Sequence, residues 1–279
     1  MSTLSATVEG IGFWTAGLPD WAAARAYVHG AERVDGAPAR PSPQLLAPNE
    51  RRRAPETVAV ALDVALAACQ DAGREPRDLP SVFASTHGDL AITDYMCSTL
   101  AEAPASVSPT RFHNSVHNAA AGYWTIGAGC TQSTTAISAY DATFAEGLVE
   151  ALVQLQAGQD AVLLVAYDGQ TVGPLVAISP SEGVLGGALV LSRQAKPGAL
   201  TIDVEVIASN GDPREGTDPQ RLVHFAGGNA MAPMLPLFEA LARGQGEIVL
   251  HAGEGRAVRV RVASHAAQDL PVAAGVVHG

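Results

Sequence analysis

Residues 133–168 read STTAISAYDATFAEGLVEALVQLQAGQDAVLLVAYD. Residues 133–139 favour a strand, residues 141–157 repeat apolar side chains at helical spacing, and residues 160–166 are an apolar run ending at Tyr167-Asp168. Strand, helix and strand in that order make a βαβ unit, which predicts an α/β fold with helices layered on a mixed sheet.

The flanking sequence extends this pattern. Residues 6–16 predict a strand, Asp20 an N-cap for a helix over residues 21–29, and residues 34–47 an exposed Pro- and Gly-rich connection. From Pro55, apolar residues at three- and four-residue spacing predict a long helix with one buried face, stopped by Gly73. Ser81–Ser85 has the continuous apolar character of a buried strand before the Thr86-His87-Gly88 turn, and a helix follows from about Ile92 to Ala101. Residues 187–192 and 200–208, separated by Lys196-Pro197-Gly198, predict a hairpin. A helix at about 232–243 and strands at 247–251 and 257–263 close the pattern, and no internal repeat is present.

Composition narrows the function. With 279 residues and 17 Lys+Arg against 28 Asp+Glu, the net charge is −11, and the one basic run is Arg51-Arg52-Arg53. A chain of this balance lacks the cationic stripe that binding to a phosphate backbone requires. No apolar stretch approaches the roughly 20 residues of a membrane span, and the N-terminus has no basic and apolar leader pattern, so the expected location is the cytoplasm. The three cysteines, Cys69, Cys97 and Cys130, are too widely spaced for a Cys-based zinc site and are read as reduced thiols. His113 and His117 stand four apart, as two ligands on one helix face would. They lack a metalloprotease's intervening Glu and are read instead as polar residues at a helix start, so no metal is expected.

The order of motifs around residues 118–160 resembles that of the β-ketoacyl synthases. Asn118-Ala119-Ala120-Ala121-Gly122 fits their Asn-x-x-Ala-Gly helix. Ser138-Ala139-Tyr140 stands where they carry Thr-Ala-Cys, and the twenty residues from Tyr140 to Asp160 match their spacing. The resemblance extends over residues 6–210. It implies a thiolase-like fold, helices layered around two sheets, in a single domain over residues 1–279: a synthase-like half (1–195) and an abbreviated second half (196–279).

It also implies a missing nucleophile. In the synthases a Cys at a helix N-terminus accepts the acyl chain as its thiolate. Tyr140, a phenol whose ordinary pKa is near 10, is a poor acyl acceptor and is expected to cap or fill the old acyl site. Of the family's two catalytic histidines, only His224, in His224-Phe225-Ala226-Gly227-Gly228-Asn229-Ala230, has a matching position. No His-Gly-Thr loop is found between Asp212 and Val223, and the closing glycine loop is reduced to Gly253-Glu254-Gly255. Such a chain resembles the non-catalytic chain-length factors. With residues 111–118 (RFHNSVHN), it is similar to the short synthase-like proteins of aryl-polyene and xanthomonadin-type clusters.

That implies a dimer with an active synthase or with a second copy, and acyl groups delivered on the phosphopantetheine of an acyl-carrier protein, with no cofactor of the chain's own. Asn118, Ser138, Tyr140, Cys130, His113 and His117 are then pocket or interface candidates, and Arg51, Arg52 and Arg53 a docking cluster for the acidic carrier. The rival is an independent acyl-thioester enzyme, an acyltransferase, decarboxylase or thioesterase, built on Cys130 or His224.

Overall fold

The computed structural model describes residues 3–209 and 220–264. Among the described residues, eight strands form one mixed sheet: β1 (Leu4–Thr15), β2 (Ser81–Ala84), β3 (Thr134–Ile137), β4 (Ala161–Asp168), β5 (Leu185–Ser192), β6 (Leu200–Ala208), β7 (Gly246–His251) and β8 (Arg256–Ser264), in the order β3-β2-β4-β5-β1-β6-β8-β7. β3, β2 and β4 run parallel and every other pairing is antiparallel. The βαβ unit is present, with β2 seated between its two strands.

Two expectations change here. Residues 187–192 and 200–208 do not form a hairpin, because β1 lies between β5 and β6 and pairs with both. The same twelve-residue strand joins the two halves of the chain into one continuous sheet where two were expected. A turn signal at Lys196–Gly198 reports a chain reversal and cannot report a third strand inserted between the two arms.

Helices cover both faces. On one lie α3 (Glu56–Ala72) and α6 (Ala119–Ala128), against Leu163, Val165 and Tyr167 of β4. On the other lie α1 (Trp21–Val28), α7 (Thr143–Gln156) and α9 (Leu235–Arg243), against Val162, Leu164 and Ala166 of the same strand. Alternate residues of β4 thus feed two separate cores, which accounts for its unbroken apolar sequence. Asp20 caps α1 by accepting from the Ala23 amide at 2.7 Å, and Gly73 ends α3 at φ 64°. α3 is buried around most of its first three turns, beyond the single face expected, because β1 presents glycine beneath it: a Cβ on Gly12 would lie 2.0 Å from the Val64 carbonyl oxygen. The remaining helices are α2 (Pro48–Arg51), α4 (Leu90–Glu102), α5 (Pro109–Asn114) and α8 (Arg221–Ala226).

Of the arginine run, Arg51 ends α2, and Arg52 and Arg53 lie in the turn before Pro55 restarts the chain as α3. Among the described residues, no helix is long and apolar enough to cross a membrane.

Candidate active site

β3 ends at Ile137, and three residues later a 3-10 turn over Tyr140–Ala142 leads into α7. Tyr140 sits at this strand-to-helix corner with φ 53°, the only non-glycine residue with positive φ among the described residues. An aromatic residue pays steric strain in that region, and such strain persists where the surrounding structure imposes it. The corner is fixed from both sides: Thr143 Oγ1 donates to the Tyr140 carbonyl at 2.6 Å and accepts from the Ala139 amide at 2.9 Å.

Beside it, Ser85–Gly88 forms a tight loop after β2. Asp168, buried at the end of β4, accepts from Ser85 Oγ (2.7 Å), the Thr86 amide (2.9 Å) and the His87 amide (3.3 Å). Burial pushes its carboxyl above the ordinary carboxylate range, against the pull of these hydrogen bonds. Two of the predicted residues support the same loop: His117 Nε2 meets the Ser85 carbonyl at 2.7 Å, and Ser138 Oγ donates to the Thr86 carbonyl at 2.9 Å. His117 is therefore a loop tether. The loop presents the His87 ring edge-on to Tyr140, with centroids 6.2 Å apart, and His87 Nε2 lies 2.6 Å from Ser179 Oγ.

Tyr140, Thr86, Ser179 and His224 line a cavity of about 1000 Å³. Asp141 and His251 also line it, with His251 Nε2 3.4 Å from Asp141 Oδ1. Apolar walls come from Val223, Pro236, Ile248 and Leu250, so the cavity combines the apolar lining and few convergent polar groups of a small-molecule site. Tyr140 was expected to cap or fill the old acyl site. It forms part of the wall and is 55% exposed, because its left-handed backbone sets the ring against His87.

The other sequence candidates gather elsewhere. Asn118 begins α6 without a side-chain cap and, with His113, lines a second, more apolar cavity of about 600 Å³ between α2, α5 and α6. His113 packs edge-on to Tyr123, and among the described residues no group of three or more His, Cys, Asp or Glu could hold a metal. Cys130, proposed as a displaced nucleophile, is buried beyond α6 with its thiol directed to the Leu79 carbonyl, outside the Tyr140 cavity. Burial pushes the Cys69 thiol up to about 12. Arg51 is engaged with the Leu46 carbonyl and Arg52 with Asn49, while Arg53 reaches the rim of the second cavity. Gly253-Glu254-Gly255 is the β7–β8 turn and takes no part in the Tyr140 cavity. The expected lack of a second histidine loop concerns residues that lie mostly outside those described.

Sequence reasoning missed His87, Asp168, Ser179 and the Asp141–His251 pair. One signal was available: Asp168 ends an otherwise apolar buried strand, where a carboxylate demands donors.

A family model described as "Beta-ketoacyl synthase, N-terminal domain" matches residues 21–224. No curated protein matches the chain. Among solved structures, a chain from the ketosynthase (ApeO) in complex with its chain length factor (ApeC) from Xenorhabdus doucetiae superposes with TM-score 0.70 at 22% identity, covering 92% of this chain and 99% of that one. A chain of the AntDE:AntF complex, a type II PKS acyl-carrier protein with its ketosynthase bound to the hexaketide, gives TM-score 0.72 at 12% identity over 95% and 100% of the two chains. The ishigamide ketosynthase/chain length factor gives 0.69 at 14% over 93% and 99%. At such identities the superpositions speak for the fold, which is thiolase-like. With the family model spanning most of its length and its motifs seated at the corner and cavity above, the chain belongs to the β-ketoacyl synthase family.

Proposed function

We propose that the protein is a non-condensing, chain-length-factor-like subunit that pairs with a Cys-bearing β-ketoacyl synthase and helps shape the product of polyene or fatty-acyl biosynthesis. The observation that carries the reading is Tyr140: the strained strand-to-helix corner is kept, with φ 53°, while the residue on it is a phenol where the family's thiolate would stand. Retained geometry without the reacting atom is what a structural partner of an active enzyme would have.

The reading is supported by two of the similar structures, whose names include a chain length factor. It is also supported by the edge of the sheet at β3, a four-residue strand with a neighbour on one side among the described residues, which packs against α6, the helix that carries the exposed Ile126. An unpaired edge with apolar flanks is a surface that natural proteins cover. Acyl groups would arrive on a carrier protein in the cytoplasm, with Arg53 as the outward cation available to it.

Condensation assays with the purified chain, acyl carrier and extender unit test the reading. Wild type and Tyr140→Cys should both fail to form product alone, because the sequence has no His-Gly-Thr loop between Asp212 and Val223 and only His224 has a position matching the family's two catalytic histidines. Robust turnover by Tyr140→Cys would refute a non-condensing subunit.

A further inference from the structure

We propose that Ser179 and His87 form a nucleophile–base dyad that removes acyl groups from thioesters by way of an acyl-serine. The choice of thioester rests on the family reading, whereas the dyad rests on geometry alone. His87 Nε2 and Ser179 Oγ are 2.6 Å apart, within the reach of an activated nucleophile and its base. Both partners are held in place. The Ser179 amide donates to the Leu175 carbonyl at 2.8 Å and its own carbonyl accepts from Thr171 Oγ1 at 2.8 Å, while His87 is fixed through its amide to Asp168 and through its ring to Tyr140. The serine faces the cavity of about 1000 Å³, whose walls at Val223, Pro236, Ile248 and Leu250 suit an acyl chain. Tyr140 lines the same cavity, and its phenol has no hydrogen-bond partner among the described residues, leaving an O–H donor for the oxyanion.

In the tautomer with the ring proton on Nδ1, Nε2 accepts the Ser179 hydroxyl proton as Oγ attacks the thioester carbonyl. The C–O bond forms, the C–S bond breaks, and the departing sulfur takes the proton from His87 as a free thiol. Water, deprotonated by His87, then attacks the ester, releasing the carboxylic acid and restoring the serine hydroxyl. The net change is thioester plus water to acid plus thiol, with no other reactant. A subunit with this activity would clear stalled or incorrect acyl groups without condensing them.

The full-length protein is treated separately with a fluorophosphonate and with hexanoyl-N-acetylcysteamine thioester, and read by intact mass and peptide mapping. The expected result is a single adduct from each reagent on Ser179 in the wild type. Ser179→Ala should abolish both, and His87→Gln should slow both at least about 100-fold, with native thermal melting of each variant confirming the fold. Absence of a Ser179 adduct from the thioester, an adduct on another residue, or an unchanged rate in His87→Gln overturns the proposal. Recovery of a synthase partner is scored independently, so failure of the dyad and failure of the chain-length-factor reading are separate results.

Discussion

The charge on Glu9 should hold two parts of the fold together in a pH-dependent way. Glu9 lies at a β-bulge in β1, where the register with β5 shifts between Val8 and Gly10, and its side chain is fully buried. Arg74 clamps it with two bonds (2.7 and 3.0 Å) and Lys196 adds a third contact at 2.8 Å, linking the end of α3 and the β5–β6 connection to the bulge. Burial by itself would raise the carboxyl. The hydrogen bonds from Arg74, Lys196 and Ser192 outweigh it and lower the pKa from 4.5 to about 2. After discounting for the partial exposure of both cations, the difference is worth about 2 kcal/mol at neutral pH. Because the folded value is the lower one, this contribution is complete above about 4.5 and is lost as pH falls toward 2. Urea unfolding of wild type and Glu9→Gln at pH 7 and pH 3 measures it. The gap between the two proteins should be about 2 kcal/mol at pH 7 and fall below about 1 kcal/mol at pH 3. An equal gap at both pH values would refute the argument.

Three further outcomes follow from packing and burial. Gly12→Ala should cost at least about 3 kcal/mol, because its Cβ would meet the Val64 backbone, whereas Gly122→Ala, with open space at its Cβ, should be neutral or stabilising by up to about 1 kcal/mol; thermal melting separates the two. A thiol reagent should modify one cysteine in the native protein, the exposed Cys97, and all three after denaturation, since Cys69 and Cys130 are buried and burial holds the Cys69 thiol at about 12. Asp168→Ala should destabilise by about 3 kcal/mol, measured by urea unfolding, because it strands the buried donors of Ser85 and Thr86.

How much of this was legible in the sequence follows physical range. Helices α1 and α3 were readable because their signals are local: Asp20 before an apolar turn, and Gly73 after a run of apolar residues at helical spacing. The order β5-β1-β6 was not, because pairing across nearly 200 residues leaves no trace in the turn at Lys196–Gly198. In the site, Tyr140 was located by spacing, and Ser138 and His117 proved to be supports of the neighbouring loop. The His87–Ser179 contact spans 92 positions between two residue types common in turns, so only the folded sheet reveals it. Cys130, read as a reduced thiol and named as a nucleophile only for the rival enzyme, is a buried thiol directed to the Leu79 carbonyl.

On the proposed function, this chain completes an active synthase without condensing anything itself. The direct measurement is native mass spectrometry of the tagged protein purified gently from its own host. The expected result is an equimolar complex with a β-ketoacyl synthase that carries the Cys nucleophile. A homodimer or monomer recovered without such a synthase would contradict it.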